Sequence, residues 1–83
     1  MSEKTGMGTM GETLIAIVAR TLRVPTSKLT LDTGPGDLEV WDSLAQINIV
    51  SEIEAEFGVS IPIEQVAEIR HIRDFLGYLE KKS

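Results

Sequence analysis

Eighty-three residues make one small domain, which buries only about 60% of its unfolded surface and therefore needs a compact core. There is no cysteine, which removes disulfides, thiolate chemistry and most structural zinc sites. Eight basic residues against thirteen acidic ones leave a net charge of −5, which disfavours nucleic acid and anionic lipid as partners and favours a basic protein surface.

No apolar run approaches the roughly 20 residues of a membrane span. No apolar stretch follows Lys4 to make a secretory signal. Residues 1–8 mix small and polar types without period and read as a disordered tail, leaving 9–83 as the folded domain. Leu14, Ile17, Val18 and Leu22 recur at spacings of three and four, which predicts a first helix from about Met10 to Arg23. Pro25 ends it, because the residue before a proline is pushed out of helical geometry, and Val24 packs just past the end. Thr26 to Trp41 is a long connection. Leu29 and Leu31 anchor it, so it is expected to lie on the core rather than swing free. Thr33-Gly34-Pro35-Gly36 is turn chemistry, and Asp37 to Val40 is expected to form a short helical turn. The carboxylates from Asp32 to Asp37 lack the residue order of a calcium loop.

The second helix is expected from Ser43 to Phe57, burying Ile49, Val50, Ile53 and Phe57, with Gly58 as its C-terminal cap. Glu52, Glu54 and Glu56 make its far half negative, but their spacing of two sets successive carboxylates on different faces, so they form no metal site. Pro62 suits the first position of a new helix, and a short third helix is expected from about Ile63 to Glu68, anchored by Val66 and Ile69. The fourth helix is expected from His71 to Lys81, with Ile72, Phe75, Leu76 and Leu79 as its stripe and Lys81-Lys82 complementing its dipole. This is an all-α protein: a small four-helix bundle of three longer helices and one short one, with a long loop between the first two. A helix-turn-helix domain has a similar inventory, but the net charge and the lack of a basic helix argue against it.

Trp41-Asp42-Ser43-Leu44 stands where the loop gives way to the second helix. Asp42 is a good N-cap, since its carboxylate can accept free N–H groups of the first turn. Ser43 then lies exposed at a helix N-terminus, a place that favours a phosphate. At about 100° per residue, Leu44 falls roughly 140–180° from Ile49, Ile53 and Phe57 and faces away from the core. Ile47 is also off the buried stripe. It either packs under the long loop or joins Leu44 in a docking surface.

A catalytic Ser43 would need a general base and a group to orient it. His71 is the sole histidine and reads as a helix-start or surface residue. The residues around Ser43 are not Gly-x-Ser-x-Gly, and an exposed Asp42 carboxylate is too weak a base to activate a hydroxyl. No catalytic residue and no metal ligand set is expected. What remains is a serine placed for modification by another protein, beside a bundle core able to take in an apolar chain.

Asp42-Ser43-Leu44, the apolar helix that follows, and Glu54-Ala55-Glu56-Phe57-Gly58-Val59-Ser60-Ile61-Pro62 resemble the acyl carrier protein family. The resemblance covers nearly the whole chain after the tail, taking in the first-helix stripe, Val24 with Leu29, Ile69 and Tyr78-Leu79. It implies that Ser43 is esterified by 4′-phosphopantetheine, donated from coenzyme A by a phosphopantetheinyl transferase. The arm's thiol would carry acyl groups as thioesters in fatty acid, polyketide or related lipid biosynthesis, with catalysis left to partners. Those partners would be an acyl-loading ligase or acyltransferase, and condensing and modifying enzymes with basic docking patches. Asp42, Leu44, Ile47 and Glu54 map onto the family's docking face. Ile49, Val50, Ile53, Ile61, Val66 and Ile69 would border the acyl pocket. The expectation is a cytoplasmic monomer that enters no membrane and binds no nucleic acid.

The sequence departs from the family in places. Val40 replaces a familiar glycine, Trp41 precedes the aspartate, Ala45 and Asn48 stand where carboxylates are usual, and Ser51 occupies a usually apolar surface position. These departures point to a specialised carrier serving a particular polyketide, lipid or amino-acid pathway. An aminoacyl or peptidyl carrier is the neighbouring reading, which Asp42 disfavours. A helical interaction module that is never modified is the reading from outside the carriers.

Overall fold

The computed structural model describes the backbone of residues 7–82 and the side chains of residues 10–79. Its helices, in chain order, are α1 (Met7–Leu22), α2 (Ser43–Phe57), α3 (Ile63–Val66) and α4 (Arg73–Lys82), with a single 3-10 turn at Thr26–Lys28. No strand occurs among the described residues. Residues 1–6, most of the expected tail, lie outside the described residues, as do the side chains of Lys81 and Lys82; Met7 and Gly8 open α1 three residues ahead of the predicted start.

Leu14, Ile17, Val18 and Leu22 are buried along α1 and meet Ile49, Val50 and Ile53 of α2, with Ile72, Phe75 and Leu79 closing the core around α4. Phe57, expected on the buried face of α2, is only partly buried against this core. Helix α1 stops at Leu22. Arg23 takes a left-handed conformation (φ 64°), and the Val24 N–H reaches back to the Ala19 carbonyl at 3.0 Å. This is the glycine-type helix ending made by an arginine.

The long connection is tied down along its length. Leu29 is buried and Leu31 packs against the core. Thr30 and Thr33 bond the loop backbone with their hydroxyls, and the Asp37 carboxylate accepts the Gly34 N–H at 2.8 Å. The helical turn expected at Asp37–Val40 is instead two successive turns, closed by Asp37 N–H to Gly34 carbonyl and Trp41 N–H to Leu38 carbonyl, each at 3.0 Å. The loop also clamps the start of α4. The Leu31 and Thr33 carbonyls accept from Arg73 and Ile72 at 2.9 and 2.8 Å, and the Arg73 guanidinium pairs with Asp32. Gly34 is obligatory here, because a Cβ on it would lie 1.7 Å from the Arg70 carbonyl oxygen.

Helix α4 begins at Arg73 and not at His71, because the His71 and Ile72 carbonyls close three-residue turns to the Asp74 and Phe75 N–H groups at 2.9 and 3.0 Å. The Asp74 carboxylate caps this start, taking the Arg70 and His71 N–H groups at 2.9 and 3.0 Å, donors for which the helix itself has no acceptor. The Arg70 N–H, with that of His71 and the His71 ring 3.6 Å away, holds the Asp74 carboxyl below the usual carboxylate range. Helix α3 is a single turn ending at Val66, two residues short of expectation. Pro62 precedes it as the capping residue rather than opening it.

Candidate functional site

Helix α2 is capped at both ends as its sequence demands. The Asp42 carboxylate accepts the Ala45 N–H at 2.9 Å, and Gly58 adopts the left-handed conformation (φ 67°) that returns its N–H to the Glu54 carbonyl at 2.8 Å. With Asp42 as cap, Ser43 is the first helical residue, and it is exposed. The N–H groups of Ser43 and Leu44 have no helical carbonyl behind them, as in the first turn of any helix. A negatively charged group on the serine would face those donors and the positive end of the helix dipole.

Apolar surface surrounds this position. Leu44 is 66% exposed, Ile47 50%, Val40 50% and Ile63 73%. Leu44 does turn away from the core, and Ile47 is half open rather than sealed under the loop. Ile63 and Val40 extend the patch beyond the expected residues. Asp42, Leu44 and Ile47 therefore cluster at one end of α2. Glu54 lies at the other end, and its carboxylate is turned inward to accept the Ile61 N–H at 2.7 Å, bracing the link to α3. Glu52 pairs with Arg20 across to α1 at 3.4 Å. Two of the three carboxylates on the far half of α2 thus have partners within the fold.

A cleft of about 550 Å³ opens beside the serine. Pro35 and Gly36 of the loop, Trp41 to Ser43, Gln46 and Ile47 of α2, and Ile63, Val66, Ala67 and Ile69 around α3 line it. Its size is that of sites for drug-sized ligands. Val66 and Ile69, two of the six residues expected to border an acyl pocket, line this cleft. Ile49, Val50, Ile53 and Ile61 are buried in the core.

Trp41 and Gln46, which are not among the expected site residues, are bonded to each other in the cleft wall. Trp41 is 2% exposed, and its indole N–H donates to Gln46 Oε1 at 2.7 Å. Gln46 Nε2 in turn donates to the Val66 carbonyl at 3.4 Å, so one polar chain links the serine loop, α2 and α3. The signal for this was available: Gln46, Ile49, Val50 and Ile53 share the i, i+3, i+4, i+7 register of a buried face, and a glutamine there requires a buried partner.

No group of three or more His, Cys, Asp or Glu residues capable of holding a metal ion occurs among the described residues, and no described helix is long and apolar enough to cross a membrane. His71 is exposed at the start of α4, its ring beside Asp74.

Residues 12–79 match the family described as the phosphopantetheine attachment site. The chain is 38% identical over 68 residues to an acyl carrier protein of Treponema pallidum (strain Nichols), covering 81% of this chain and 86% of that one. It is 31% identical over 75 residues to an acyl carrier protein of Porphyromonas gingivalis (strain ATCC BAA-308 / W83), covering 90% of this chain and 96% of the relative. A shorter match, 40% over 40 residues, joins it to an acyl carrier protein of Rickettsia bellii (strain OSU 85-389) and covers 48% of this chain and 49% of that one. An all-helical fold, a capped helix opening on an exposed serine and these similarities agree: the chain belongs to the acyl carrier protein family, whose members bear covalently attached 4′-phosphopantetheine.

Proposed function

We propose that Ser43 is the attachment residue, and that the chain carries acyl groups as thioesters on the arm and delivers them to enzymes of fatty acid, polyketide or related lipid biosynthesis in the cytoplasm. The observation that carries this reading is the placement of Ser43: exposed, first in α2, on the rim of a largely apolar cleft. The surroundings fit the group. A phosphodiester on Ser43 would sit against the Ser43 and Leu44 N–H groups, and its charge would complement the α2 dipole. The phosphopantetheine supplies a thiol, which a chain without cysteine cannot supply itself.

The chain's own residues do the rest. Asp42 fixes the start of α2 and so sets Ser43 in its first turn. Leu44 and Ile47, with Val40 and Ile63, offer a transferase and later enzymes an apolar surface around the attachment point. Asp42 adds charge at its edge. The cleft wall at Val66 and Ile69, backed by Ile49, Val50, Ile53 and Ile61, offers an apolar chain shelter from water. The catalytic groups belong to the partners. Buried Trp41, with Ala45 and Asn48 in place of carboxylates on α2, supports a specialised carrier.

Intact-mass measurement after incubation with coenzyme A and a broad-specificity transferase tests the assignment. The expected result is the mass of one phosphopantetheine on the wild type and none on Ser43→Ala. No addition to the wild type, under conditions that load a control carrier, refutes the carrier reading. Addition to Ser43→Ala refutes the choice of serine.

A further inference from the structure

Gln46 is the one polar side chain buried among the described residues, at 8% exposure, and it lines the cleft. A primary amide has two N–H donors and an oxygen with two lone pairs. Trp41 takes one lone pair and the Val66 carbonyl takes one N–H, at a long 3.4 Å. One donor and one acceptor site remain on a side chain whose neighbours in register are Ile49, Val50 and Ile53. An apolar occupant would cover that amide without bonding it, which is unfavourable, whereas an amide-bearing occupant would satisfy both sites.

The geometry points to Gln46 as a docking group for the phosphopantetheine arm itself, its carboxamide hydrogen-bonding the arm's serine-proximal amide. The inference rests on the reading of Ser43 as attachment residue. Gln46 is three residues on from Ser43, and side chains so placed have Cβ atoms about 5–6 Å apart on a helix. The arm's first amide carbon is six bonds from the serine oxygen, a reach of about 7 Å at roughly 1.2 Å per bond along an extended chain. The two methyl groups that precede it suit a wall of Ile47 and Val66. An acyl thioester lies far beyond, about 17 Å away on the same scale, so the amide at the serine end of the cleft matches the arm before it matches the cargo.

The test compares the ¹⁵N-labelled chain before and after transferase loading, with loading confirmed by intact mass. Trp41 is the sole tryptophan and gives one indole signal, while Gln46, Asn48 and Gln65 are the only sources of side-chain amide signals. Loading is expected to shift the Gln46 amide and the Trp41 indole N–H, and to produce contacts between the arm's geminal methyls and the Ile47 and Val66 side chains. In loaded Gln46→Met, of equal length and apolar, those contacts are expected to weaken, the docked fraction falling about fivefold, the factor for one hydrogen bond of about 1 kcal/mol. The wild-type comparison stands alone if that variant folds poorly. Loaded wild type with unmoved Gln46 and Trp41 signals overturns the inference and leaves the carrier reading intact. So do shifts that appear only once an acyl group is on the thiol, which would assign the amide to cargo. Absence of loading overturns the carrier reading beneath it.

Discussion

Replacing Gly34 by alanine is expected to destabilise the domain by about 3 kcal/mol, although the position is on a loop and its φ is not positive. The added Cβ would sit 1.7 Å from the Arg70 carbonyl oxygen and 2.6 Å from its carbon, and both are backbone atoms with no rotamer to escape into. The loop must lift from α4. Overpacking of this kind costs about 1–3 kcal/mol. Lifting also strains the Ile72-to-Thr33 and Arg73-to-Leu31 hydrogen bonds, worth about 1 kcal/mol each, and the Arg73–Asp32 pair at the surface, worth little. Taking the overpacking term near its lower end with two bonds gives about 3 kcal/mol, or a melting temperature lower by roughly 12–24 °C in a domain this size. Gly77 is the internal control. It lies within α4, and a Cβ added there would meet nothing within 4 Å, so Gly77→Ala should stabilise by about 0.5–1 kcal/mol through helix propensity alone. Thermal unfolding followed by circular dichroism at constant concentration reads both. Gly34→Ala within about 0.5 kcal/mol of wild type, beyond which a surface substitution is not expected to reach, would refute the clamp between loop and α4.

Arg23→Gly removes a side chain from a left-handed position and should stabilise the end of α1 by up to about 1 kcal/mol, since the gain is partly offset by a more flexible unfolded chain; urea unfolding measures it. The depressed Asp74 carboxyl means that its contribution to stability is fully present above the unfolded value of about 3.9 and is lost as pH falls through the lower folded value; the stability gap between wild type and Asp74→Asn should therefore be constant near neutrality and close below about pH 4. Leu44→Ala should weaken transferase docking, read as a raised KM for the chain as substrate, with unchanged helicity, because Leu44 is 66% exposed. Glu54→Lys should instead lower stability by about 1–3 kcal/mol, since it leaves the Ile61 N–H without its acceptor; an unchanged melting temperature would return Glu54 to the free surface.

The helices were legible because their signals are local and agree with one another. The α1 stripe, the Asp42 cap and the Gly58 terminator each name their own structural consequence, and the structure places all three as read. Errors fall where a side-chain bond or a backbone conformation that the apolar pattern does not encode decides the outcome. His71 and Ile72 have good helical pattern, but their carbonyls close three-residue turns to the Asp74 and Phe75 N–H groups, so α4 starts later. The bond by which Glu54 accepts the Ile61 N–H, seven residues on, is likewise not encoded in the helical pattern of α2. Arg23 reads as helical because an arginine gives no warning of a left-handed conformation.

The candidate site shows the opposite relation between sequence and structure. Natural chains are locally consistent except where function or strain intervenes. Around Ser43 three residues break consistency together: an exposed leucine follows the serine, a tryptophan precedes the cap, and a glutamine occupies a core register. Each is a small anomaly alone. The structure joins two of them in one hydrogen bond of 2.7 Å and sets that pair in the wall of the cleft beside the serine. Trp41 fills what a small residue would leave as a wider opening, and Gln46 gives its indole N–H a partner that the core could not otherwise supply. A large ring held by a single buried bond yields a rigid wall with one polar point on it. A wall meant only for hydrocarbon would need neither the point nor the partner. On the proposed reading, Trp41 and Gln46 bear on what the cleft accepts and the exposed Leu44 on who approaches it, so the two can be altered independently.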